Sequence, residues 1–483
     1  MLRYLLTVLT ALLPSLLHAQ DALSATQVAQ PDRWDSELAM QQPRDLNPDP
    51  RILEIELEAV VTPMEIVPGK MTPVWTYNGS LPGPMLKLNV GDRMIVHFTN
   101  RLEEETTIHW HGLRVPNAMD GAPGFTQDPI PPGGSFTYDF IVPDAGTFWY
   151  HPHSNSAAQV GYGLYGALIV NDPADPPVFG DELVLMLSDI SIADDGSLQS
   201  PKSGGSFGDL FGREGNVLLV NGKIMPTLKM RQGKQQRWRV INATRARYFS
   251  LRYNRAPVIR LGGDSGLMAR SEEVDQIQLT PGERTDFVFT PPDAPGTTDV
   301  FKWYPTDRGY GTTYLRVSEP IMNMVTVDLP PVTPEPIPQD LRAIAPLDIS
   351  GATQKEISLT IDLSGNDVVV MGINGVPHER TEPVLARVGE TQVWTVKNPT
   401  DFSHPFHMHG FFFQVLDENR VLEWKDTVDV PHNSELKLAV KFDDRPGMWM
   451  FHCHILDHAD VGMMGHLYVS AAGEAPPHAA HAH

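Results

Sequence analysis

A single cysteine stands among 483 residues, and the residues around it are the ones that could do chemistry. In the stretch His452-Cys453-His454-Ile455-Leu456-Asp457-His458-Ala459-Asp460-Val461-Gly462-Met463, a histidine flanks Cys453 on each side. Another histidine follows it at five residues and a methionine at ten. A thiolate, imidazoles and a weak thioether are the donor set of a blue-copper centre. On a strand, successive side chains point to opposite faces. Cys453 then faces one way, while His452 and His454 face the other. One strand can thus serve two metal sites with a few covalent bonds between them. The plainer account, a small core cysteine among incidental histidines, leaves the spacing of the histidines and the methionine unexplained.

Four His-x-His pairs occur: His109/His111, His151/His153, His407/His409 and His452/His454. An i, i+2 pair on a strand points both rings the same way, so two pairs from each end of the chain can enclose one cavity. Eight imidazoles without a carboxylate shell suit copper and not Ca²⁺ or Mg²⁺. They are too many for one ion and natural for three. Zinc would suit one histidine cluster but would not account for the separate His–Cys–His–Met set. His404 lies three residues before His407, so on a strand it faces away from that pair and is the candidate second imidazole at Cys453. The mononuclear set is then His404, Cys453, His458 and Met463, with Met464 read as core packing. His97, His378, His432 and His466 are read as ordinary surface or core histidines, and His478, His481 and His483 as part of a floppy tail.

The elements that must position these residues are strands. From Arg51 onward apolar and polar residues alternate, and few stretches have helical spacing. Gly 39 and Pro 43 suit many short strands joined by turns. An internal repeat is visible: Asn78-Gly79 leads to Gly91 and Asn100, Asn221-Gly222 to Gly233 and Asn242, and Asn374-Gly375 to Gly389 and Asn398. The interval from the later glycine to the asparagine is nine residues each time, so the chain holds three versions of one β-domain. The divisions are a signal peptide 1–19, an N-terminal arm 20–47, domains 48–173 and 174–328, a proline-rich linker 329–355, a third domain 356–472 and a tail 473–483. The middle domain has no histidine and reads as a spacer that sets the angle between the other two.

Composition narrows the partners. Hydrophobic residues at 41% and charged ones at 20% allow real cores. A net charge of -22 opposes binding to nucleic acid or anionic membrane surfaces. Arg3, the apolar run Tyr4 to Leu17 and Ala19 read as a secretory signal, which places the chain in the periplasm or outside the cell. No other apolar run is long enough to span a membrane. Cys453 has no disulfide partner, and in an oxidising compartment a metal would protect it. The chain is read as a monomer.

Taken in order, the four histidine segments resemble the four copper signatures of the multicopper oxidases, in their bacterial, three-domain, laccase-like form. The resemblance implies an all-β fold of three cupredoxin-like Greek-key β-barrels and four copper ions per chain. It makes His404, Cys453, His458 and Met463 the type 1 ligands, and His109 and His407 the type 2 ligands. It makes His111, His151, His153, His409, His452 and His454 the ligands of a coupled type 3 pair. Asp120 matches the acid near the three-copper site and is the expected proton donor. Many relatives carry an acid directly after the second type 1 histidine; here Ala459 stands there, with Asp460 next. Trp424-Lys425-Asp426-Thr427-Val428 also resembles a family segment and is given no more than scaffold support.

The activity implied is four one-electron oxidations of a small-molecule or metal-ion reductant, coupled to reduction of O₂ to two waters. No methionine-rich insert is present, and Pro399-Thr400-Asp401-Phe402-Ser403 lacks the placed Asp and Met of cuprous oxidases. Phenols and aromatic amines are therefore favoured over Cu(I), Fe(II) or Mn(II). A non-catalytic cupredoxin scaffold is the reading from another class, and the full ligand set opposes it. A nitrite reductase would not need a type 3 pair.

Overall fold

The structure, a computed structural model, describes residues 29–176, 179–309, 317–364 and 369–474. The signal peptide 1–19 and the last residues of the tail lie outside these. Among the described residues no helix is long and apolar enough to cross a membrane.

Among the described residues the strands pair into six sheets, two within each of the stretches 52–171, 181–326 and 353–470. Alternation explains each pair. In Arg93–Asn100, Met94, Val96 and Phe98 are buried while Arg93 and His97 face water. The equivalent strands Gln236–Asn242 and Thr391–Asn398 also pair in parallel with the opening strand of their stretch. Three aromatic-rich cores result, centred on Trp110 and Tyr138, on Trp238 and Phe287, and on Trp394 and Trp449.

The turn residues noted in the sequence make the same contacts three times. Asn78, Asn221 and Asn374 adopt φ of 52°, 50° and 54°, followed by glycines at 70°, 76° and 81°. This left-handed turn favours Asn-Gly. Each asparagine Oδ1 accepts from a strand N–H, that of Glu58, Met186 and Ser358. Asn100, Asn242 and Asn398 each accept from the N–H two residues on and donate across to a backbone carbonyl of a second segment, that of Ile130, Leu279 and Val430.

The sheets that carry the histidines have matching order. In the first stretch it is Gly83–Asn89, Gly166–Asn171, Gly146–His151, His109–His111. In the third it is Val384–Arg387, Met464–Ser470, Gly447–Cys453, His404–Met408, Thr427–Val430. Register puts His109 opposite His151 and His407 opposite His452. The described part of the N-terminal arm is docked: Leu38 is buried in the middle domain's core, and the Gln41 carbonyl accepts from Met85 N–H in the first domain. The linker runs along the middle domain, where Val332 N–H donates to Gln232 O and Leu341 N–H to Ala269 O.

Candidate metal centres

Cys453 ends the strand Gly447–Cys453, in register with Phe406 of His404–Met408. Its Sγ lies 3.5 Å from Nδ1 of His404 and 3.5 Å from Nδ1 of His458, and those two nitrogens are 3.1 Å apart. All three residues are fully buried. Met463 is packed in the same core, its N–H donating to His458 O and its carbonyl accepting from Cys453 N–H. The strand ends sooner than its alternation predicts. His458 stands on a short helix, Leu456–Asp460, whose Asp457 carboxylate is gripped by Arg213 and Arg245 of the middle domain at 2.5 Å each. Met464 is not core packing: it is only half-buried and lies opposite His452 on the strand's outer face.

The partners of these rings assign their tautomers. His458 Nε2–H donates to the Leu210 carbonyl at 3.1 Å, and His404 Nε2–H to Thr400 Oγ1 at 2.9 Å. Both Nδ1 lone pairs therefore face each other and the sulfur. Burial, then the neighbouring His458, pushes His404 well below its ordinary range; burial, then Arg308, takes His458 to about 3. Burial pushes the Cys453 thiol far up. Neutral rings with opposed lone pairs and a thiol that ionises only beside a cation fit a soft metal ion.

The other eight histidines converge between the first and third domains, and all but His153 are buried. The His111 and His407 rings stack at 3.9 Å, as do those of His109 and His409. His452 Nε2 lies 3.1 Å from His409 Nε2 and 3.4 Å from His153 Nε2. Ligand atoms of His153, His409 and His452 lie within 4.8 Å of one another, as do those of His109, His407 and His409, and of His109, His111 and His151. The His454 ring is 4.8 Å from His111 and 5.6 Å from His151.

Here too the outer nitrogens are held. Nδ1–H of His109, His407, His151 and His452 donates to the carbonyls of Asp120, Asp426, Pro152 and Cys453, at 2.8 to 3.0 Å. Nδ1–H of His409 donates to Asp120 Oδ2 at 2.9 Å. The inward atoms are orphaned: Nε2 of His109, His151 and His407, Nδ1 of His111 and both ring nitrogens of His454 have no hydrogen-bond partner among the described residues. Buried polar atoms without partners are rare, and so many in one cavity point to bound cations. Burial, followed by neighbouring imidazoles, lowers His151, His452 and His454 far below the usual range and His153 to about 3, so the rings are neutral ligands. The donor set fits copper.

Asp120 is buried between the two chain ends. Burial alone would raise its carboxyl, but the rings of His409 and His109 reverse this and hold it well below the carboxylate range. Its position depends on Gly121, at φ +82°, where a Cβ would fall 1.8 Å from Ile108 O. Asp426, whose segment the sequence marks as scaffold support, does more. Its Oδ1 accepts from His111 Nε2–H at 3.2 Å, and Arg284 donates to Oδ1 at 2.8 Å and to Oδ2 at 2.5 Å. Arg284 belongs to the middle domain, as does Gly282, where a Cβ would fall 2.9 Å from the His454 ring. The middle domain is thus a wall of the cavity and not a plain spacer. Nothing in Gly282-Glu283-Arg284 marks that role in the sequence, because the contact exists only once the domains dock.

The remaining histidines divide. His97 pairs with Glu54 at the surface and His432 is exposed. His378 and His466 are half-buried and face each other at 3.1 Å. Asp460 accepts from Ala157 N–H, tying together the helices Leu456–Asp460 and Ser156–Tyr162.

The multicopper oxidase family matches the chain over residues 60–175, 181–302 and 350–473. The chain is 31% identical over 429 residues to a multicopper oxidase of Staphylococcus aureus, covering 84% of this chain and 86% of that one. It is 27% identical to a laccase of Bacillus subtilis, covering 81% and 89%. Its fold is similar to a solved multicopper oxidase from Campylobacter jejuni described as a metallo-oxidase, with a TM-score of 0.80 and 29% identity over 89% of this chain and 94% of that one. The three cupredoxin-like β-domains, the Cys453 cluster and the eight-histidine cavity agree with these matches: the chain belongs to the multicopper oxidase family and is a copper-dependent oxidoreductase that uses O₂.

Proposed function

We propose that the chain is an exported, monomeric laccase-like oxidase that couples four one-electron oxidations of phenols or aromatic amines to reduction of O₂ to two waters. Four coppers serve it. Type 1 is held by His404, Cys453, His458 and Met463, type 2 by His109 and His407, and the type 3 pair by His111, His151, His153, His409, His452 and His454. The observation that carries this reading is one of chain order. Cys453 lies in the mononuclear cluster, while its neighbours His452 and His454 lie in the histidine cavity. When bound, the copper ions supply the one-electron chemistry: O₂ takes four electrons and four protons to give two waters.

The chain's own residues do the rest. The peptide on either side of Cys453 is the shortest covalent route between the clusters. Burial keeps bulk water from both. Asp120 and Asp426 fix which ring nitrogens carry protons, so that the lone pairs point inward. Asp120 is held ionised, so it is not the standing proton donor expected from the sequence; it serves only as a relay that takes up a proton and passes it into the cavity.

The surface over His458 supports an aromatic reductant. The helix Gly205–Phe211 covers that ring through the Leu210 carbonyl. Phe207, 73% exposed, stacks on Phe211, whose ring lies 5.3 Å from Phe402. No methionine occurs between 197 and 215. The second reading, oxidation of Cu(I), Fe(II) or Mn(II), draws on the metallo-oxidase described for the Campylobacter jejuni structure. Steady-state turnover of a methoxyphenol against Cu(I) tests the choice. Strong Cu(I) turnover with negligible phenol turnover would overturn it.

A further inference from the structure

A pair of imidazoles at the seam of the first and third domains belongs to neither copper cluster. Nδ1 of His378 and Nε2 of His466 are 3.1 Å apart. The facing nitrogens of His404 and His458, and of His409 and His452, have the same 3.1 Å separation. His378 opens the turn His378–Arg380, and His466 stands on the outer face of Met464–Ser470. Phe125 of the first domain covers them, its ring 4.6 Å from His466 and 5.8 Å from His378.

Two methionines share the strand face of His466. Met450 is directly opposite His466 in the register, and Met464 is two residues before it on the same face. Cross-strand partners share a face with their Cβ atoms about 4.5–5.5 Å apart, which puts Met450 on the face of His466. Neighbours at i, i+2 share a face, which brings Met464 to it as well. Two neutral imidazoles and two thioethers are soft donors that suit Cu(I) over hard cations. Burial, then His378, takes His466 down to about 4, and burial lowers His378, so both rings are neutral at neutral pH, and each can offer a lone pair once the proton between them moves to another ring nitrogen or leaves.

We propose that His378 and His466, aided by Met464 and Met450, form a separate binding site for a soft monovalent cation of the Cu(I) class. The site does not depend on which reductant the oxidase uses. Its position, on the strand that follows the axial-ligand position Met463, sets it apart from the aromatic surface over His458.

The test is a titration of the copper-loaded full chain with Ag(I), a redox-inert stand-in for Cu(I), followed by calorimetry and silver analysis. Wild type should hold one more equivalent of silver than His378→Ala or His466→Ala. Copper content and phenol turnover should be unchanged in both. Equal silver binding in wild type and both variants would overturn the site and leave a plain hydrogen bond between two rings. Should an alanine variant fail to fold, His466→Gln keeps the bulk and gives the same comparison. Failure here would leave the oxidase reading standing, because none of these residues is among its proposed ligands.

Discussion

Asp426→Asn removes a charge at the point where all three domains meet. Asp426 and Arg284 are both essentially without solvent exposure, and two bonds of 2.8 and 2.5 Å join them. Without that carboxylate, Arg284 still donates to the carbonyls of Thr147, Gly282 and Asp264, but its nearest carboxylate is that of Asp264, at 3.4 Å, which Lys425 also claims at 3.3 Å. Removing one partner of a buried pair costs about 3–5 kcal/mol, since it strands the other charge. With a slope of about 3 kcal/mol/M in urea, the midpoint of the affected transition should fall by about 1 M or somewhat more. A second loss is chemical. Asp426 Oδ1 faces His111 Nε2, so copper affinity of the histidine cavity should fall by about 10–100-fold. The Cys453 cluster does not touch Asp426, so the blue colour should remain. Urea unfolding of the metal-free protein and copper counted per chain measure the two effects. Asp426→Asn with Arg284→Met separates them: removing both charges should recover most of the stability, while the copper deficit persists. If Asp426→Asn alone unfolds like wild type and holds its full copper, the account of this junction is wrong.

Cys453→Ser should abolish the blue colour and the oxidase turnover while the far-UV spectrum stays native; normal turnover would remove Cys453 from the electron route. Asp120→Asn should slow reoxidation by O₂ by about 10–100-fold with little change in reduction by phenol, because it disturbs His409 and His109 and not the Cys453 cluster. Stopped-flow traces under air and under argon give the two rates. The metal-free protein should be acid-sensitive. His111, His151, His404, His407, His409, His452 and His454 have folded pKa values below the ordinary 6.5, and His153 and His458 fall to about 3, so the unfolded chain takes up protons that the folded chain refuses. Their contribution is intact above pH 6.5 and declines as pH falls towards 3, by about 1.4 kcal/mol per pH unit for each ring. A stability that stays flat from pH 7 to 4.5 would contradict this, and copper should move the loss to lower pH. Phe207→Ala should raise KM for a methoxyphenol several-fold without altering the colour, since Phe207 is exposed on the helix whose Leu210 carbonyl covers His458 and is not among the proposed copper ligands.

Much of the site was legible because metal ligation is written in residue type and spacing. Cys453 with flanking histidines on a strand has to send its side chain one way and theirs the other. His404 and His407, an odd number of positions apart, must face opposite sides of theirs, and they do. The Asn-Gly turns were legible too, because a left-handed turn admits few residues. Less legible was the end of the Cys453 strand. The helix that carries His458 is held by Arg213 and Arg245, more than two hundred residues away in sequence. Met464 was misplaced for a similar reason: which of two adjacent methionines points inward depends on the register of the strand against Gly447–Cys453.

The chain by itself determined which atoms could bind metal, that they fall into a sulfur-bearing set and an all-imidazole set, and that strands carry most of them. Only the folded molecule decided what surrounds them. Arg284 and Gly282 enter the cavity, Asp426 becomes a partner of His111, Leu210 covers His458, and His378 meets His466. Each of those contacts joins segments that no local periodicity relates. They arise from domain docking, which buries charge and ring nitrogens together and so selects partners by geometry and not by neighbourhood in the sequence.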